Sequence, residues 1–447
     1  MSQRQRPRVP PELCDEIIGY LSADKKTLKA CSLASRQWLG SARYHLFNSV
    51  AVRAPKDANP PRNLTAFLEF VLANTQLKRH IQCLRISTEE QNFGYGDGWA
   101  SVCQHDLQEV LLQLPNLRKL VLSRIRFIGC RLGCEARPLQ VNPISLKELV
   151  FEAGSNDDEL LDIVDILSLF GDVEMFSAPR IRLAENWDID NVLQTPLLPE
   201  HLRIRTLATG FDDTSDGVLW EVFRRTPSVH TIMALGAHCA SGMHQERLGD
   251  FMKDIRATLV HLYLDLTNVF HDGETDQDLL EWDWLALSSY PCLQSIGLEL
   301  RLTNGVLPSD FATEDDDDDD GDDDDDDGRS YELFRESMGL VNILSTAVES
   351  KSIRHVAIKV DFVRYHGREQ DAGAILEGRV NWETMREVLD GFGSLETLTF
   401  GFIGGQGDVD ACRPVLERVL EDFHARGVLR LEKMSPGWLP PGLQIEE

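Results

Sequence analysis

The chain has 447 residues, 73 acidic against 45 basic side chains and a formal net charge of -28, a surface that repels nucleic acid phosphates instead of gripping them. Hydrophobic residues at 42% and charged residues at 26% are typical of globular proteins and supply a sizeable core. No stretch approaches the roughly 18 uninterrupted apolar residues of a membrane helix, Met1 to Arg8 leads into no apolar signal run, and the scattered cysteines, 9 in all, form no even framework. The expectation is a folded cytoplasmic or nuclear protein with reduced thiols, no membrane and no nucleic-acid partner.

After a flexible N-terminus over 1–8, Pro10-Pro-Glu-Leu-Cys-Asp-Glu-Ile-Ile-Gly-Tyr-Leu21 predicts a first helix with proline at its start, where a missing N–H costs little. Leu13, Ile17, Tyr20 and Leu21 share one face of it. A second helical stretch, Asp24 to Ser35, carries Leu28, Cys31 and Leu33. Ser35-Arg-Gln-Trp38 then leads into a third with Arg43, Leu46 and Phe47. A unit of about 40 residues is near the lower limit for independent folding and tends to leave apolar surface for a partner. Arg53-Ala-Pro-Lys-Asp-Ala-Asn-Pro-Pro-Arg62 has the composition of a linker. The expected organisation is a helical module at 9–50, a linker at 51–63 and a repeat region at 64–447.

The repeat region carries a recurring pattern of apolar residues at positions 1, 4 and 6. Copies are Ile81/Leu84/Ile86, Leu117/Leu120/Leu122, Leu146/Leu149/Phe151, Val173/Phe176/Ala178, Ile204/Leu207, Val229/Ile232/Ala234, Leu259/Leu262/Leu264, Leu293/Ile296/Leu298, Ile353/Val356/Ile358 and Leu395/Leu398/Phe400. A frayed last copy falls near Val428 and Leu431. Between them lie helical stripes such as Leu64/Phe67/Leu68/Val71, Leu107/Val110/Leu111/Leu114 and Leu416/Val419/Leu420/Phe423. One strand and one helix cannot bury their apolar faces alone, so neighbours must stack into an α/β solenoid with a parallel sheet. A doubly wound α/β domain is the alternative. The interval from Leu293 to Ile353 is stretched by Glu314, Asp315 to Asp320 and Asp322 to Asp327, a like-charge run that predicts a disordered acidic insertion at 312–329.

Motifs of enzyme chemistry are missing: no nucleophile elbow, no zinc-protease helix, no lysine-bearing phosphate loop. Gly404-Gly-Gln-Gly407 sits between a strand and a helix, where amides can hold phosphate, but a tight turn wants the same glycines. Cys103, His105, Cys130 and Cys134 have irregular spacing for zinc. No cofactor, no metal and no catalytic residue is expected.

Pro10-x-Glu12-Leu13, Ile17-Ile18, Leu21, Leu28, Cys31-Ser-Leu33, Ser35-Arg36, Trp38 and Leu46-Phe47 together resemble an F-box, especially the form common in fungal F-box proteins. Leu117-Arg-Lys-Leu-Val-Leu122 and Leu259-Val-His-Leu-Tyr-Leu264 resemble leucine-rich repeats, in an irregular form because the family's asparagine after the strand is mostly missing. The resemblance implies a non-catalytic substrate-recognition subunit of an SCF-type cullin-RING ubiquitin ligase. The F-box would dock on a Skp-type adaptor through Pro10, Leu13, Ile17, Leu28, Cys31 and Trp38. The repeats would capture a protein substrate. Strand alternation places Met233, Leu235, His261, Tyr263, Asp265 and His355 on the face opposite the helices, with Glu299 and Lys359 beside them. The alternative is an interaction scaffold or ligand receptor not coupled to ubiquitination.

Overall fold

The computed structural model describes residues 10–54, 62–88, 100–127, 143–152, 160–179, 200–210, 215–238, 242–266, 282–303, 328–363 and 371–434. The acidic run at 314–327, Cys130 and Cys134 lie outside them. Gly328 and Arg329, assigned to the insertion by composition, open a helix at Gly328–Ser345.

The chain divides into two compact units, one of Met1–Ile204 with Arg225–Pro227, the other of Arg205–Arg224 with Ser228–Glu447. The first opens with helices α1 (Pro11–Gly19), α2 (Lys25–Ala34) and α3 (Leu39–Asn48). Proline stands in the first turn of α1. Asp24 caps α2: its carboxylate accepts from the backbone N–H of Lys26 and Thr27, both at 3.0 Å, two donors that the helix itself leaves unpaired. The Thr27 hydroxyl donates to the same carboxylate at 2.6 Å and is the first cause holding its pKa below the usual value. Ile18, Leu28 and Ala42 form the small core of this module, with Leu21, Cys31, Trp38 and Leu46 packed around it.

The strands that follow are β1 (Ser49–Ala54), β2 (Cys83–Thr88), β3 (Ala100–Val102), β4 (Lys119–Ser123), β5 (Ile125–Phe127), β6 (Ile144–Glu152) and β7 (Phe170–Ala178). β1, β2, β4, β6 and β7 lie side by side in chain order and pair in parallel. β3 and β5 form a separate parallel pair. Sequence reasoning missed β1. Val50 pairs with Leu84 and Val52 with Ile86, so the sheet begins inside the segment read as the end of the module and a linker. The prolines at 55, 60 and 61 follow this strand and do not interrupt it.

The second unit repeats the scheme with β8 (Arg203–Thr209), β9 (Ala234–His238), β10 (His261–Asp265), β11 (Ser295–Thr303), β12 (His355–Val363), β13 (Thr397–Ile403) and β14 (Leu429–Met434). All pair in parallel in chain order. Parallel neighbours need a crossover of a dozen or more residues, commonly a helix, which the repeat length supplies. Leu207, Leu235, Leu262, Ile296, Val356, Leu398 and Leu429 stand in one row across the sheet. Helices pack on this apolar face: the Trp382 ring, at the start of helix Trp382–Asp390, lies 6.1 Å from that of Phe400. Each unit is therefore an α/β stack of strand-helix repeats. Among the described residues no helix is long and apolar enough to cross a membrane.

Candidate functional site

The sequence points to two surfaces, and each falls within one unit. In the first unit, Leu13 is 49% exposed, Ile17 55% and Tyr20 82%. They follow one another along α1 at spacings of four and three, the stripe of one helix face. Leu33 on α2 is 88% exposed. Pro10 is also exposed. The remaining residues expected at the adaptor interface lie inward: Leu28 is fully buried in the module core, and Cys31 and Trp38 are half-buried against it. The reason is the size of the unit, which has few buried positions and gives them to Cys14, Ile18, Leu28 and Ala42. Pattern alone does not separate the residues a small module uses for itself from those it leaves outside.

In the second unit the face opposite the helices is polar and largely closed to solvent. One row across it reads His238 on β9, Asp265 on β10, Glu299 on β11 and Lys359 on β12, each in register with the next, and all are buried. The Lys359 ammonium donates to Glu299 Oε2 at 2.8 Å. The Tyr263 hydroxyl donates to the same oxygen and lies 3.4 Å from Lys359 Nζ. Tyr263 reaches them because Gly297 stands beside it in the register and carries no side chain. His238 Nδ1 lies 3.2 Å from Asp265 Oδ2.

Burial dominates the electrostatics. It raises the Glu299 pKa, Asp265 adds to the effect, and Lys359 with Tyr263 opposes it. Burial and then the Glu299 charge keep the Tyr263 phenol protonated. Two rows toward the strand starts from the charged row, His261 Nδ1 meets Ser295 Oγ at 2.8 Å and His355 Nδ1 meets Thr397 Oγ1 at 2.7 Å. Both imidazoles are half-buried. Burial, followed by the nearby His355, lowers the His261 pKa.

Tyr263, Asp265, Glu299, Lys359, His261 and His355 thus share the polar face, as strand alternation requires. Leu235 does not: it pairs with Leu207 and Leu262 on the apolar face and is fully buried. Met233, 47% exposed, precedes β9. The cause is the repeat frame. Val229 falls in a 3-10 turn at Pro227–His230, so the anchors of this copy are Ile232, Leu235 and Ala237, three residues later than the pattern Val229/Ile232/Ala234. In the corrected frame the polar positions are Ala234, Gly236 and His238, and His238 is the member of the charged row that the sequence reading missed. The aligned apolar triplet Ile232-x-x-Leu235-x-Ala237 was the signal available to find it.

The glycine turn after β13 is filled by the protein itself. Asp408 accepts from the Gly405 N–H at 3.2 Å, and a Cβ on Gly404, whose φ is +147, would come 2.3 Å from Asp408 Oδ2. A carboxylate occupies the place where a phosphate would need to sit. Cys103 is buried, and among the described residues no group of three or more histidine, cysteine or acidic side chains is placed to hold a metal ion. No protein-family model matches this chain, and no curated protein matches it significantly.

Proposed function

We propose that the chain is a non-catalytic substrate receptor of an SCF-type ubiquitin ligase. Its helical module binds a Skp-type adaptor, and its repeats hold a protein substrate. The observation that carries this reading is the row Leu13, Ile17 and Tyr20, exposed on the first helix of a module that buries only a few residues of its own. Apolar side chains held out on a small helical unit favour a protein partner that removes them from water, at about 25 cal/mol per Å² of apolar surface buried. Ubiquitin transfer takes place on other subunits, and this chain contributes proximity between substrate and transfer site.

For the substrate, the more accessible edge of the polar face supports a contact through His261 and His355, with the charged row beneath as rigid support. Met233 is an exposed apolar residue at the start of the neighbouring strand. The test of the adaptor reading is co-expression with a Skp-type adaptor. A 1:1 complex is expected for the natural chain, and Leu13→Asp with Ile17→Asp should abolish it, because two charges would enter an apolar contact unpaired. A folded double variant that still binds at full strength defeats the assignment.

A further inference from the structure

Strand β14 (Leu429–Met434) is the last of its sheet and pairs with β13 alone. Leu398 on β13 donates its N–H to the Val428 carbonyl at 3.0 Å. Backbone groups alternate between the two sides of a strand, so Arg430 and Glu432 also turn theirs to β13, while Leu429, Leu431 and Lys433 turn theirs away. Among the described residues no strand takes up those outward groups. An uncovered edge is a template for another strand, and proteins blunt it with proline, bulges, short length or charge. β14 is six residues long, holds no proline and keeps an unbroken register with β13. The segment that follows it is poor in donors for the edge, since Pro436, Pro440 and Pro441 have no N–H. The remaining device is charge, and here the charges are self-complementary.

Arg430 lies beside Thr399 and Glu432 beside Gly401 on the polar face, and both are exposed. Leu429 and Leu431 lie beside Leu398 and Phe400 on the apolar face and are half-buried. A basic and an acidic residue on one face, with Leu431 between them, match each other across a two-fold axis through Leu431. When a second copy is laid antiparallel about that axis, Leu431 meets Leu431 and Leu429 meets Lys433. These are the residues whose backbone groups point outward, so each such pair exchanges two hydrogen bonds. Arg430 of each copy then stands against Glu432 of the other, at the positions between those bonds where side chains come closest. Registers centred on Arg430 or on Glu432 would set like charges against each other, so the charges select one register. By contrast β1, the first strand of the other unit, carries a single charged residue, Arg53, and has no such complementarity.

We propose that two copies of this chain join edge to edge through β14, antiparallel about a two-fold axis at Leu431, with reciprocal Arg430–Glu432 pairs. The same patch is used by both copies, so the assembly closes at a dimer. It uses no residue of the adaptor-docking helices and does not depend on that reading.

Sedimentation velocity of the full chain at physiological salt, with no adaptor present, tests it. The natural chain should pass from monomer to dimer between about 1 and about 100 micromolar, the range of a small interface. Arg430→Glu should weaken the dimer by about tenfold or more, because it sets Glu432 against a like charge twice. Adding Glu432→Arg should restore it to within about threefold of the natural chain, because the exchanged charges meet again. A natural chain that stays monomeric throughout, an Arg430→Glu chain that dimerises as well as the natural one, or a folded double exchange as weak as the single change would each overturn the proposal. Should a charge variant fail to fold by circular dichroism, Lys433→Pro takes its place. It removes an outward N–H at an exposed position and leaves the β13 ladder intact, and undiminished dimerisation by that variant overturns the proposal equally. A chain ended at Met434 that dimerises where the natural chain does not would overturn it in favour of residues 435–447 as the occupant of the edge.

Discussion

Lys359 on β12 holds its ammonium 2.8 Å from Glu299 Oε2 on β11, directly across the register, with side chains only 4% and 11% exposed. Removing one partner of such a pair leaves a buried charge uncompensated, which costs far more than the pair contributes. Lys359→Met should therefore destabilise the second unit by about 3–5 kcal/mol. Adding Glu299→Gln, which keeps an acceptor for Tyr263, should recover most of the loss. Urea unfolding followed by tryptophan fluorescence reads both, because Trp220 and Trp282 are buried in this unit.

The same pair sets a direction with pH. Burial, then Asp265, raises the Glu299 pKa above its ordinary value, and Lys359 opposes the rise. In Lys359→Met that opposition is gone, so the folded carboxyl holds its proton more tightly than the unfolded one. A group whose folded pKa is raised stabilises the fold below its unfolded pKa and loses that contribution as pH climbs through the folded value. The variant should thus regain stability as pH falls from 8 toward 5, more steeply than the natural protein. Parallel slopes for the two proteins would show that Glu299 is not the group responsible.

Two glycines in helix Ala372–Arg379 make a matched pair. A Cβ on Gly373 would approach the Ala411 carbonyl oxygen of the neighbouring helix to 2.5 Å, whereas one on Gly378 meets nothing within 4 Å. Gly373→Ala should cost about 1–3 kcal/mol through overpacking. Gly378→Ala should add about 0.5–1 kcal/mol from helix propensity. Thermal unfolding of the two variants should move in opposite directions, and a shared direction would contradict the close helix approach.

In the helical module, Leu28→Ala and Leu33→Ala should separate stability from binding. Leu28 is fully buried and Leu33 is 88% exposed. Truncating Leu28 should lower stability by about 2–5 kcal/mol. Truncating Leu33 should leave unfolding within about 0.5 kcal/mol of the natural protein. Under the proposed function it should still weaken the adaptor complex. Loss of stability in Leu33→Ala would place that side chain in a core.

Much of the scaffold was legible because the period of the apolar pattern survives in most copies. Leu84, Leu120, Leu149 and Phe176 fall in one register row exactly where their triplets put them. β1 was hidden because Val50 and Val52 follow directly on α3, and the prolines after them read as linker. The frame of β9 slipped because the apolar Val229 in a turn imitates an anchor, and a period of two then inverts every face. Composition alone does not reveal that the polar face is closed. That closure comes from side chains meeting across strands, such as Tyr263 reaching over Gly297 to Glu299, and from Met434 lying where a Gly401 side chain would be. The alternation of residues marks a face but not what fills it.

The central claim is that the helical module is an adaptor-docking unit. It is tested most directly by mixing the purified chain with a purified Skp-type adaptor and measuring mass by light scattering on a sizing column. A 1:1 complex, absent with Leu13→Asp plus Ile17→Asp and retained with Lys359→Met, is the expected result. A folded natural chain that elutes alone at micromolar concentrations of both proteins would contradict it.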